Sequence, residues 1–317
     1  MRHWRVILRW ILFVLLVFGL GHYIATHLEQ FKVIRQIRPS IIGLMLLLHV
    51  STLIIAGFRY FTVVKSFGLN IPFPTWFRIF IYARFLNRFY PQGGSIYRAA
   101  ILKTNYKFSI SNYVSAFAAY SYLDRLFALA FTLLLVLLIE PSLTLVGINI
   151  PLLLSVAITF AISPIFFLTR KKNSISEKQG RINRWIRSFS KILNELTECV
   201  RNPRMLTTFA LTGLLTFSIS LTMSWLCFRE LGDPIELSRI SVLSYVKTTL
   251  NTIPLTPGNI GTTETAYGLL SAGMNDSPAN AIIVATINNI CAVTSVSIVC
   301  SLALLIVPQI PSRTNPE

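Results

Sequence analysis

Long runs of uncharged apolar residues constrain this chain more than any other feature. Segments 6–24, 41–55, 126–139, 148–168, 206–228 and 281–307 are largely free of charge. About 20 apolar residues cross a bilayer as a helix, so several of these runs suffice alone or with a flanking turn. Of 317 residues, 53% are hydrophobic and only 13% charged, too few charges to clothe a soluble domain of this size. Mean hydropathy is +0.62. The pattern predicts an all-α integral membrane protein, one polytopic domain over residues 1–317.

The formal net charge of +17 would point to nucleic acid in a soluble protein. Here the basic residues flank apolar spans, which the positive-inside rule explains without a polyanion. Threaded from a cytoplasmic N-terminus, the inner side receives Arg2, Arg5 and Arg9, the basic residues from Arg59 to Lys107, those from Arg170 to Arg204, and Arg313. The outer side receives only Lys32, Arg35, Arg38, Arg229 and Arg239. Both termini are therefore expected in the cytoplasm and the protein in the cytoplasmic membrane. No clear small-x-small cleavage site follows the first span, which is read as uncleaved. Within 170–204, Ile182, Trp185, Ile186, Phe189, Leu193, Leu196 and Val200 recur at helical spacing opposite Arg181, Arg184, Arg187 and Lys191. This predicts a basic amphipathic helix on the cytoplasmic leaflet, or one packed on a soluble partner. Cys199, Cys227, Cys291 and Cys300 have no metal-ligand spacing, His22 and His49 lack metal partners, and no nucleotide-binding motif is present. No metal and no cofactor is expected.

Two stretches are too polar or short to span yet too apolar for loops. The first, near 73–106, is broken at Pro91-Gln92-Gly93-Gly94; the second, near 237–270, is broken between Pro254 and Gly261, with Pro257 and Gly258 between. Proline removes a donor and glycine permits left-handed backbone, so the chain can reverse at each break. At membrane depth such backbone survives only inside protein or against a water-filled cavity. Two re-entrant helical hairpins are predicted beside about six transmembrane helices. At an offset of 164 residues Gly68 falls on Gly232, Asn87 on Asn251 and Gly94 on Gly258. A first repeat over 39–140 and a second over 205–308 follow. Because the hairpins enter from opposite faces, the repeats are inverted, an arrangement that places a transport site between them.

The half-helix after each break would offer its N-terminal amides and positive dipole end to an anion. Ionisable residues nearby are costly in lipid and usually carry function. Arg98 is read as a phosphate clamp or an interfacial snorkelling arginine. Of Asp124 and Arg125, one is expected to face the cavity, with Arg125 preferred. Glu264 is a counter-charge to Arg125, a proton or cation carrier, or a lock on its own break. Lys247 touches substrate or packs, and Asn289, with Asn288, is a ligand or interhelical glue.

The segment from Pro254 through Pro257-Gly258-Asn259-Ile260-Gly261 to Glu264 resembles the P-x-x-P-G-G-x-G-x-x-E signature of the lysylphosphatidylglycerol synthase/flippase transmembrane family. Residues 87–102, with Pro91, Gly93, Gly94 and Arg98, are similar to its first-half motif, and Arg125 to the arginine that follows. Asn259 stands where the family usually has Gly, which is expected to stiffen the break, and Asn289 near where the second half commonly carries Arg. The resemblance implies translocation of a phosphate-headed, aminoacyl or polyprenyl lipid between leaflets, by a stand-alone membrane domain without a synthase domain. A transporter rather than an enzyme is expected. The alternatives are a membrane-embedded transferase or accessory subunit acting on a lipid-linked substrate, and a scaffold acting through 170–204. The bilayer and a membrane lipid are the expected partners; an enzyme partner and a homo-oligomer stay open.

Overall fold

The computed structural model describes residues 37–90, 92–170, 202–251 and 256–306. The predicted first span, Pro91, Pro254 and most of the amphipathic stretch lie outside them. The described chain is helical apart from one two-residue antiparallel ladder. Its helices are α1 Pro39–Ser66, α2 Phe73–Phe89, α3 Gly93–Tyr106, α4 Ile110–Ile139, α5 Ile150–Arg170, α6 Pro203–Glu230, α7 Leu237–Leu250, α8 Thr262–Gly273 and α9 Pro278–Ile306. Strands β1 Thr144–Leu145 and β2 Ile148–Asn149 close the turn between α4 and α5.

Among the described residues, α1, α4, α6 and α9 are long and apolar enough to cross a membrane. Their starts are set locally. Pro39, Pro203 and Pro278 sit at first-turn positions where a missing N–H costs nothing. Ser109 Oγ accepts from Asn112 N (3.1 Å), Asn202 Oδ1 from Met205 N (3.2 Å) and Ser277 Oγ from Asn280 N (3.3 Å). α1 and α6 also stop alike, at the left-handed glycines Gly68 (φ 92) and Gly232 (φ 72). The next amides, of Leu69 and Asp233, bond back to the Val64 and Phe228 carbonyls.

The two interrupted segments form short helices. α2 and α3 have 17 and 14 residues, α7 and α8 have 14 and 12. At 1.5 Å per residue they reach roughly 18–25 Å, short of the roughly 30 Å hydrocarbon core. α2 folds back against α3, and α7 against α8. α1 and α6 are both 28 residues long and begin at positions 39 and 203. Packing is exchanged between the halves: α2 lies against α9 of the second half, and α7 against α4 of the first.

The first break differs in detail from its sequence reading. The left-handed residue there is Gln92 (φ 66), not Gly93 or Gly94. Gly94 is needed for a different reason: a Cβ on it would lie 1.7 Å from the Ala83 carbonyl oxygen of α2. Arg59 also departs from expectation. Counted among the inner-side charges, it is buried in α1, which continues to Ser66.

One end of the bundle is pinned by polar contacts. Arg239 of α7 forks onto Glu140 at the end of α4 (Nη2 to Oε1 2.7 Å, Nε to Oε2 3.1 Å) and reaches Asp276 Oδ1 (2.7 Å). Arg38 Nε donates to Glu230 (2.9 Å), and Asn280 Nδ2 to Asp233 (2.8 Å). The Arg239 guanidinium holds the Glu140 carboxyl below its ordinary range, whereas burial pushes Asp276 up more than Arg239 pulls it down. Glu140 thus stabilises the fold fully above its unfolded value of about 4.3, and that contribution disappears as pH falls through the lower folded value. Asp276 acts with the opposite sign, so only a Glu140 variant isolates the effect. Glu140→Gln should cost about 1 kcal/mol or less at neutral pH, the pair being partly solvated. The difference from the parent should shrink in melts as the pH falls below about 4.

Candidate functional site

A cavity of about 530 Å³ lies between the halves, walled by α1, α2, α3, α4, α6, α7 and α9. α2 presents Phe80, Arg84, Asn87 and Arg88 to it, which are successive positions on one helical face. α1 adds His49, Arg59 and Tyr60; α3 adds Ser95 and Arg98; α4 adds Tyr113, Tyr120 and Asp124; α7 adds Lys247 and Asn251. At the tips of the two hairpins Arg88 Nη1 donates to the Gly258 carbonyl (3.3 Å). α2 packs there on the 3-10 turn Pro257–Asn259.

Five cationic side chains therefore face this space against one carboxylate. That carboxylate, Asp124, is committed to an ion pair with Arg59. Arg59 is fixed further by Nη1 donating to Thr216 Oγ1 (3.3 Å) and by the rings of Tyr120 and Phe209 at 5.6 and 5.1 Å. Arg98 is 4% exposed, its guanidinium over the rings of Tyr60 (4.9 Å), Phe80 (5.5 Å) and Trp76 (5.8 Å). Arg98 Nε, Arg59 Nε and His49 Nε2 are buried without a hydrogen-bond partner. Unpaired polar atoms of this kind are costly in a buried setting.

Of the residues expected to bind substrate, the cavity gathers Arg98, Asp124 and Lys247. Arg125 does not line it, in contrast to the preference for it over Asp124. The two residues are about 100° apart on α4, and Asp124 takes the inward direction because Arg59 is there. Glu264 and Asn289 sit behind the wall and bond to each other, Asn289 Nδ2 donating to Glu264 Oε1 (2.7 Å).

Glu264 Oε2 accepts from Gly261 N (2.7 Å), so the glutamate caps its own half-helix. At the other break Asn87 Oδ1 accepts from Gly94 N (2.8 Å). The helix N-termini expected to receive a ligand anion thus have these amides taken by the protein's own side chains, and Glu264 is the anion that the α8 dipole attracts. Of the readings for Glu264, the lock on the break is the one its contacts describe. Asn259 (φ 58) does what its departure from Gly implied, its Nδ2 donating to Leu250 O and Asn251 Oδ1 (both 3.1 Å). Gly258 and Gly261 have φ of 62 and 84.

Sequence reasoning missed Arg59, Arg84, Arg88 and His49. The i, i+4 spacing of Phe80, Arg84 and Arg88 is the available signal; in the sequence reading these arginines enter only as inner-side charges. Among the described residues no group of three His, Cys, Asp or Glu is placed to hold a metal ion.

The family model described as lysylphosphatidylglycerol synthase TM region matches residues 6–300. Searches of curated proteins and of solved structures found no match.

Proposed function

The chain belongs to the lysylphosphatidylglycerol synthase transmembrane-region family, a membrane protein with a lipid-related function, and we propose that it translocates a phosphate-headed lipid between leaflets. The observation that carries this reading is a cationic chamber with an apolar mouth. Ile96 of α3 and Ile110 and Val114 of α4 line the cavity and are also exposed on the outside of the bundle. The contact between α3 and α4 at this mouth is thin, whereas the corresponding helices α8 and α9 pack closely. An amphipath could leave its tails among Ile96, Ile110 and Val114 while its head reaches Arg84, Arg88 and Lys247.

The two broken hairpins act in this reading as re-entrant gates of an inverted repeat, with both termini in the cytoplasm. Equal lengths of α1 and α6, matched glycine stops and the exchanged packing of α2 and α7 support that symmetry. The chamber then communicates with the side on which α3 meets α4, while Arg239, Glu140 and Asp276 close the opposite end. Alternating access exchanges these two conditions about a fixed site.

The test is transport in proteoliposomes, read by protection of a phosphatidic acid labelled on its acyl chain from a membrane-impermeant quencher. Arg84→Gln and Lys247→Gln each remove one charge from the chamber wall. Each is expected to slow exchange about tenfold or more, as for the loss of a charge-assisted hydrogen bond. Parent-like exchange in both variants would remove the site. Lipid recovered chemically altered would make the protein a transferase.

A further inference from the structure

We propose that the head recognised in this chamber carries two or more negative charges, as a phosphomonoester or diphosphate does, and that heads bearing an amine are rejected. The inference rests on the translocase reading for the lipid nature of the ligand, but its charge argument comes from the cavity alone. Among the described residues only Asp124 and Glu264 are acidic within the body of the bundle; Glu140, Glu230, Asp233, Glu236 and Asp276 belong to its pinned end or the connection beside it. Asp124 neutralises Arg59. Glu264 lies behind the wall with both oxygens engaged, by Gly261 N and Asn289, and of the cavity's cations its charge reaches Lys247.

Arg84, Arg88, Arg98 and Lys247 are left facing the space. The ring faces of Tyr60, Trp76 and Phe80 offset part of the Arg98 charge, and the Phe80 ring lies 5.2 Å from Arg84. Rings supply no counter-charge for Arg88 or Lys247. A phosphodiester brings one negative charge and leaves the rest of the cluster uncompensated in a low-dielectric site, a costly state. A phosphomonoester brings up to two charges and a diphosphate two to three, with terminal oxygens enough to meet several donors at once. An aminoacyl head adds an ammonium where Asp124 is already committed, so no carboxylate in the wall can receive it.

The amides at the two breaks sharpen the point. Gly94 N is bonded to Asn87 and Gly261 N to Glu264, so these two amides are closed to a ligand, while the side-chain cations line the cavity. Recognition by such point charges and guanidinium forks scales with ligand charge more steeply than recognition by backbone dipoles.

The experiment measures binding to the full-length protein in detergent, independently of transport. The probes share one short diacyl tail: a phosphatidic acid, a phosphatidylglycerol and the lysyl ester of that phosphatidylglycerol, with a short prenyl diphosphate and inorganic diphosphate alongside. The phosphatidic acid and prenyl diphosphate are expected to bind at least about tenfold more tightly than phosphatidylglycerol. The lysyl ester should be weakest of all. Arg84→Gln/Arg88→Gln should bring the phosphatidic acid to phosphatidylglycerol ratio close to one while the variant melts like the parent. Lys247→Gln alone provides a second reading should the double variant unfold. Equal binding of phosphatidic acid and phosphatidylglycerol, or tight binding of the lysyl ester, overturns the charge selection. Inorganic diphosphate binding as tightly as the lipids overturns the lipid part. The charge order holding without any lipid exchange in proteoliposomes would defeat the translocase reading and leave this site standing.

Discussion

Gly94→Ala is expected to yield little or no folded protein. The Cβ it introduces would sit 1.7 Å from the Ala83 carbonyl oxygen and 2.8 Å from the Ala83 Cα, both backbone atoms that no rotamer change can move. Restoring ordinary contact needs α3 to withdraw from α2 by well over an ångström. That movement breaks the Asn87 to Gly94 hydrogen bond and displaces Arg98, one turn along α3, from its aromatic cage. Overpacking of this kind costs about 3 kcal/mol or more, and the lost bond about 1 kcal/mol beyond it. Gly43→Ala is the matched control. It replaces a helical glycine with nothing within 4 Å and should be neutral or stabilising by up to about 1 kcal/mol. Thermal unfolding of both variants in detergent decides the matter: equal melting temperatures would mean that α2 and α3 do not touch at this point.

The helical layout was legible in the sequence because its signals are local. Four of the six apolar runs fall in the membrane-length helices α1, α4, α6 and α9, and the run at 148–168 in the shorter apolar α5. The shared offset of Gly68 and Gly232, Asn87 and Asn251 corresponds to positions with matching jobs: two helix stops, and two asparagines whose side chains accept hydrogen bonds at the breaks. Which side of a helix faces the cavity was not legible. Arg125 was favoured over Asp124 because a cation suits a phosphate, yet direction on α4 is decided by Arg59, a partner 65 positions earlier in the chain. Arg84 and Arg88 were hidden by the same limitation. A basic residue in a short broken helix looks like a loop charge until that helix is packed among others.

The breaks also show why residue chemistry alone misassigns roles. Glu264 near a helix N-terminus has the composition of an ion carrier, and its contacts make it a cap whose second oxygen holds Asn289. At each break one amide is therefore held by the protein's own side chain. α2 and α7 instead turn Arg84, Arg88 and Lys247 toward the cavity. A site of this kind is tuned by which cations face it, and two helices can change that without altering the break.

The second large effect concerns the Arg59–Asp124 pair, which ties α1 to α4 and, through Thr216, to α6. Its side chains are only 5% and 22% exposed, so each partner keeps the other's charge tolerable in a poorly hydrated place. Arg59→Met alone leaves a carboxylate among aromatic rings; Asp124→Leu alone leaves a buried guanidinium beside four further cations. Breaking a buried pair from one side typically costs about 3–5 kcal/mol, and either single variant should lose that much. The double variant Arg59→Met/Asp124→Leu removes both charges and should recover most of the loss, because well-packed apolar groups are often as stable as the pair they replace. Gly213→Ala probes the same contact without touching either charge, since its Cβ would press on Arg59 Nη1 at 3.2 Å. It should destabilise the parent and be harmless in the double variant. Unfolding free energies for the parent, both singles and the double give a coupling energy, expected at about 2 kcal/mol or more. Additive singles would show that Arg59 and Asp124 are solvated separately.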